Sequence, residues 1–84
     1  MKIAGIDIGG TNTHGVMLED NKILSKAIVR GNTEAAVRKC MKSILDESGF
    51  KIKDLQKLAV TGGNARKLGK NVFGKKFVTV DEIR

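Results

Sequence analysis

A chain of 84 residues, 40% of them hydrophobic and 30% charged, has room for one small globular domain with a modest core. Its single cysteine excludes an internal disulfide, and no apolar run approaches the roughly 20 residues of a membrane span or the long apolar stretch of a signal peptide, so a cytoplasmic protein is the default expectation. The net charge of +7 suits an anionic cofactor, nucleic acid or a solvated basic surface; with only Phe50, Phe73 and Phe77 to stack on bases, nucleic acid is the least favoured of the three.

Ile3, Ala4, Ile6 and Ile8 form a short, nearly continuous apolar run, the pattern of a strand buried on both faces, interrupted only by Asp7. A carboxylate there needs a cation or a set of donors, and a magnesium ion with its water shell would serve. Gly9-Gly10 permits a positive-φ turn, and Thr11, Asn12 and Thr13 add hydrogen-bonding side chains beside exposed backbone N–H groups. The stretch reads either as a phosphate cradle or as a hairpin whose turn simply needs glycine. Asp7 together with Thr-x-Thr favours the cradle, although neither G-x-x-x-x-G-K-[ST] nor G-x-G-x-x-G is present.

His14 to Leu18 predicts a second strand with Val16 and Leu18 on one face, Glu19 to Lys22 a polar turn, and Ile23 to Val29 a third strand, so that residues 2–29 form an antiparallel meander. His14, directly after the loop, reads as a surface residue or as a contact to phosphate or substrate. Asn32 or Thr33 caps a helix with Glu34 in its first turn, and Val37, Cys40, Met41, Ile44, Leu45 and Ser48 mark its buried stripe, ended by Gly49. Cys40 lies inside that stripe, which makes it a small core residue rather than a nucleophile or metal ligand.

After a charged connection from Phe50 to Lys57 that can hold a helical turn, Leu58 to Thr61 predicts a strand running into Gly62-Gly63-Asn64 and a short helix over residues 65–68. Free N–H groups at that helix start would suit an anion; equally, the turn could need glycine for geometry alone. Asn71 to Lys76 reads as a loop and Phe77 to Val80 as the last strand. No acid occurs from Leu55 to Val80, where six basic residues do, a field that a polyphosphate would find favourable. The element order predicts an α/β fold, a mixed sheet that begins with a three-stranded meander and has helices alongside.

Gly5-Ile6-Asp7-Ile8-Gly9-Gly10-Thr11-Asn12-Thr13 resembles the first phosphate loop of the acetate and sugar kinase, Hsp70 and actin superfamily. That resemblance implies a ribonuclease-H-like, actin-like ATPase lobe, with ATP and Mg²⁺ as ligands, Asp7 as the metal-side carboxylate, and Gly9, Gly10, Thr11, Asn12 and Thr13 on the phosphates. Val60-Thr61-Gly62-Gly63-Asn64-Ala65, followed by Val80-Asp81-Glu82, is similar to type II pantothenate kinases and to the related activators of acyl-CoA dehydratases. It implies that Thr61, Gly62, Gly63 and Asn64 line the cleft and that Glu82, or else Asp81, is the catalytic base. The first half, with Ile23-Leu24-Ser25-Lys26-Ala27, is closer to the N-terminal regions of hydantoinase A and 5-oxoprolinase proteins.

His14 departs from both groups, which carry lysine and usually aspartate there. Cys40 alone cannot supply the iron–sulfur cluster of the dehydratase activators. Since superfamily members close two lobes over the nucleotide, residues 1–84 are expected to be one N-terminal lobe of a longer protein, with a missing second lobe or partner subunit and room for a homo-oligomer. The activity expected of the whole is phosphoryl transfer from MgATP to a small hydroxyl acceptor. The alternatives are ATP-coupled amide hydrolysis of hydantoinase type and a non-enzymatic scaffold or sensor lobe.

Overall fold

The structure, a computed structural model, describes residues 1–63, 65–73 and 78–79, the last two by their backbone. Strands β1 (Lys2–Ile8), β2 (Asn12–Glu19) and β3 (Lys22–Arg30) pair antiparallel in succession and form the predicted meander. The second strand begins two residues earlier than its apolar pattern implied, because pairing continues outward to Ile8 opposite Thr13. Asp20 and Asn21 sit at φ 52° and 69°, the left-handed pair that a two-residue hairpin demands and that Asx residues tolerate.

Helix α1 (Glu34–Ser48) starts at Thr33, whose hydroxyl accepts the Ala36 N–H at 3.3 Å, and stops at Gly49, left-handed at φ 80°. Its stripe is buried as expected at Val37, Cys40, Met41 and Ile44, with Ala36 added. After a single 3-10 turn (Ile52–Asp54) come β4 (Lys57–Gly62), α2 (Ala65–Phe73) and β5 (Val78–Thr79). The sheet order is β3-β2-β1-β4-β5, with β4 parallel to β1 and β5 parallel to β4. This is the mixed α/β lobe that the element order predicted.

Helix α2 is longer than predicted. Asn71 to Phe73 belong to it rather than to a loop, because Ala65, Gly69 and Phe73 recur every four residues and bury one side of a continuous helix, with Leu68 and Val72 half-buried beside them. Asn71 Nδ2 donates to Glu34 Oε2 at 2.9 Å and ties this last turn to the start of α1.

Both helices lie on one face of the sheet, α1 over β2 and β3, α2 over β4, and they touch each other. Ala4, Ile6, Ile8, Met17, Leu58 and Val60 fill the layer between. Gly15 lets α1 come close: a Cβ there would lie 2.6 Å from Cys40 Sγ. Ser25, buried on the same face, donates its hydroxyl to the Ile44 carbonyl at 2.7 Å.

The expectation of a first strand buried on both faces is corrected. Only the face of Ala4, Ile6 and Ile8 is covered among the described residues; Ile3 and Gly5 are half-buried and Asp7 is exposed. Val16 and Leu18 do share a face, and it is the uncovered one, whereas Thr13, Gly15 and Met17 point at the helices.

Candidate functional site

Register decides which side chains meet. Asp7 on β1 lies opposite His14 on β2 and beside Thr61 on β4, and His14 lies opposite Ile28 on β3. Because Cβ atoms alternate across a strand, Ile28, His14, Asp7 and Thr61 form one row across the uncovered face, with direct neighbours about 5 Å apart. Asp7 and His14 are exposed and Thr61 half-buried. Among the described residues the Asp7 carboxylate makes no hydrogen bond or ion pair. It is a negative charge available to a ligand rather than one spent on the fold.

The β1–β2 loop caps this row. Gly9 N–H donates to the Asn12 carbonyl at 2.9 Å, and a Cβ on Gly9 would lie 3.0 Å from that oxygen, so glycine is there for a tight contact. Neither Gly9 nor Gly10 adopts positive φ, which corrects the expected turn geometry. Gly10 forms the bare crest: a Cβ there would meet nothing within 4 Å. The loop is held from behind, since Gly31 N–H donates to the Thr11 carbonyl at 2.7 Å and Asn32 Nδ2 to the Gly10 carbonyl at 3.0 Å. Thr33 rather than Asn32 caps α1, which leaves the Asn32 side chain free for this contact. Its role as a loop brace became visible only in the fold.

Thr13 does not present its side chain at the loop surface. It is fully buried and its hydroxyl donates to the Gly31 carbonyl at 2.8 Å, so a phosphate role for that hydroxyl is replaced by a structural one. Thr11 is exposed and Asn12 half-buried. On β4, Gly62 has φ 106°, and a Cβ there would lie 2.1 Å from the Ile8 carbonyl oxygen. Its glycine is explained by the close approach of β4 to β1. Gly63 is exposed with open space around it, at the turn leading into α2, and Arg66, Lys67 and Lys70 are exposed along that helix. Asn64, Asp81 and Glu82 lie outside the described residues.

Cys40 is buried, with Sγ 3.8 Å from the Thr13 carbonyl and 3.9 Å from that of Ala27, and burial pushes its thiol above the usual range. No cluster of three or more His, Cys, Asp or Glu side chains occurs among the described residues, so a cation at Asp7 would keep most of its water shell. That suits magnesium, which binds through one or two carboxylates plus phosphate oxygens. No helix among the described residues is long and apolar enough to cross a membrane.

No protein-family model matches the chain, and no curated protein is similar to it in sequence. Solved structures do share its fold. The (R)-2-hydroxyglutaryl-CoA dehydratase component A of Acidaminococcus fermentans is 19% identical, with a TM-score of 0.83 over 96% of this chain and 30% of that one. The activator of the 2-hydroxyisocaproyl-CoA dehydratase from Clostridium difficile, solved with bound ADPNP, is 22% identical, with a TM-score of 0.79 over 96% of this chain and 29% of that one. The ROK hexokinase of Thermus thermophilus is 16% identical, with a TM-score of 0.68 over 96% of this chain and 34% of that one. The 84 residues thus span about a third of the length of these structures. At such identities the likeness concerns the backbone: the chain has the fold of an actin-like ATPase lobe, of ribonuclease-H-like type.

Proposed function

We propose that these residues are the phosphate-binding lobe of an ATP-dependent enzyme that moves a phosphoryl group from MgATP to a small hydroxyl acceptor, as in the pantothenate kinase type. The observation that carries this reading is the unpartnered, exposed Asp7, set directly below the braced glycine crest in a row with His14 and Thr61. A hexokinase and an ADPNP-bound activator among the structures with this fold support a nucleotide as the ligand.

In this mechanism Asp7 would hold the water shell of a magnesium ion, and exposed groups of Gly10 and Thr11 would face the phosphates. A magnesium ion held there would supply charge compensation for the β and γ phosphates. The acceptor oxygen bonds to the γ-phosphorus, the bond to the β-bridging oxygen breaks, and Glu82 takes the hydroxyl proton. A second lobe supplies the adenine contacts, so the isolated chain binds nucleotide weakly and turns over little.

The test is Mg²⁺-dependent thermal stabilisation of the 84-residue chain by millimolar ADPNP, compared with Asp7→Asn. A wild-type shift of a few degrees, on the order of 1 kcal/mol, is expected and is lost in the variant, while the ligand-free melting temperatures agree because Asp7 is exposed and unpartnered. An undiminished shift in Asp7→Asn, or no shift in the wild type, removes the basis for the reading.

A second reading, an ATP-driven dehydratase activator, is favoured by the two structures with TM-scores of 0.83 and 0.79. Cys40 does not support a cluster shared between subunits, since its sulfur is closed between α1 and the sheet.

A further inference from the structure

The peptide that joins Gly10 to Thr11 is the least supported piece of backbone in the glycine loop. Gly9 N–H closes the base of the loop on the Asn12 carbonyl, and Gly31 N–H holds the Thr11 carbonyl in line with the β2–β3 pairing. Between these two ties Gly10 has no side chain, and a Cβ on it would meet nothing within 4 Å. A glycine on one side lets a peptide plane turn over at little cost. One contact among the described residues fixes this plane, the 3.0 Å bond from Asn32 Nδ2 to the Gly10 carbonyl.

That bond also acts on the other edge of the same peptide. In a planar trans peptide the C=O and the following N–H point in opposite directions, so drawing the Gly10 carbonyl toward Asn32 turns the Thr11 N–H away from it. Asn32 directly precedes Thr33, the cap of α1, and α1 covers the face of the sheet opposite Asp7. The N–H groups of Gly10 and Thr11 donate to nothing among the described residues, and successive free amides are what an anion-binding loop uses.

Resting on the phosphate-binding reading of this loop, we infer that Asn32 is a positioning residue for the nucleotide. It sets the Gly10–Thr11 peptide so that the Thr11 N–H faces the Asp7 side and donates to a phosphate oxygen. The Asn32 side chain is exposed and takes no part in capping α1, a task that the Thr33 hydroxyl performs. Removing it therefore disturbs the fold little while depriving the ligand of an oriented donor.

The test is a ¹⁵N-resolved NMR titration of the 84-residue chain with ADPNP and Mg²⁺, comparing wild type, Asn32→Ala and Thr33→Ala. In the wild type the Thr11 amide proton is expected to move downfield as ligand is added. Asn32→Ala is expected to weaken binding about tenfold and to flatten the Thr11 response, with a ligand-free melting temperature close to that of wild type. Thr33→Ala loses the helix cap, so its melting temperature falls while its affinity and its Thr11 response hold. Unchanged affinity in Asn32→Ala overturns the inference, and so does a Thr11 amide that shifts as in wild type once that variant is saturated. An equal loss of affinity in Thr33→Ala overturns it too, by making the effect a general loosening at the start of α1. These results leave the phosphoryl-transfer reading in place, because the wild type still binds. A wild type whose loop amides show no Mg²⁺-dependent response to ADPNP removes that reading and this inference together.

Discussion

Replacing Gly62 with alanine tests how closely the two strands that carry Asp7 and Thr61 are joined. At φ 106° an L side chain is strained by about 1–3 kcal/mol. The added Cβ would also lie 2.1 Å from the Ile8 carbonyl oxygen and 2.8 Å from its carbon, against roughly 3.5 Å for an ordinary contact. Relief requires β4 to shift away from β1 by about an ångström, at an overpacking cost of about 1–3 kcal/mol. The two terms together come to about 4 kcal/mol, most of the roughly 5 kcal/mol expected of a domain this small. Urea unfolding followed by circular dichroism is therefore expected to show a midpoint close to zero denaturant, or a chain already largely unfolded in buffer. Gly63→Ala is the control, since that residue has open space and no positive φ, and its midpoint is expected to stay level or rise slightly. A Gly62→Ala midpoint within about 0.5 M of wild type, or equal losses at both glycines, would refute the argument.

Two further outcomes follow from buried groups near the loop. Thr13→Val removes the donor to the Gly31 carbonyl and is expected to lower stability by about 1–2 kcal/mol while leaving the Mg²⁺-dependent ADPNP shift intact; loss of the shift without loss of stability would return the hydroxyl to the phosphates. The Cys40 thiol is raised by burial, so the folded state holds its proton longer than the unfolded chain does. Its contribution is complete below the ordinary thiol value of 9.0 and declines as pH rises beyond it, so unfolding free energies measured between about pH 8 and 10 should fall less steeply in Cys40→Ala than in wild type.

Periodicity made the meander, the helix stripe of α1, its start at Asn32 or Thr33 and its end at Gly49 legible, because each rests on local geometry: alternation of period two, recurrence near 3.6, and a cap within one turn; the fold selected Thr33. The same local reading missed the length of α2, whose buried face is sparse and includes Gly69, a poor helix former on its own. It also misjudged β1, since four isoleucine and alanine positions look alike whether one face of a strand is covered or two.

The sequence by itself determined the order of the elements, the glycine loop after Asp7 and the placing of Cys40 in the core, all consequences of residues near one another along the chain. Only the tertiary structure decided that His14 and Thr61 flank Asp7, that Asn32 braces Gly10, that Thr13 turns inward, and that Gly62 abuts Ile8. These are questions of register and of which face a strand shows. A shift of a single residue in pairing would send every one of those side chains to the opposite side of the sheet.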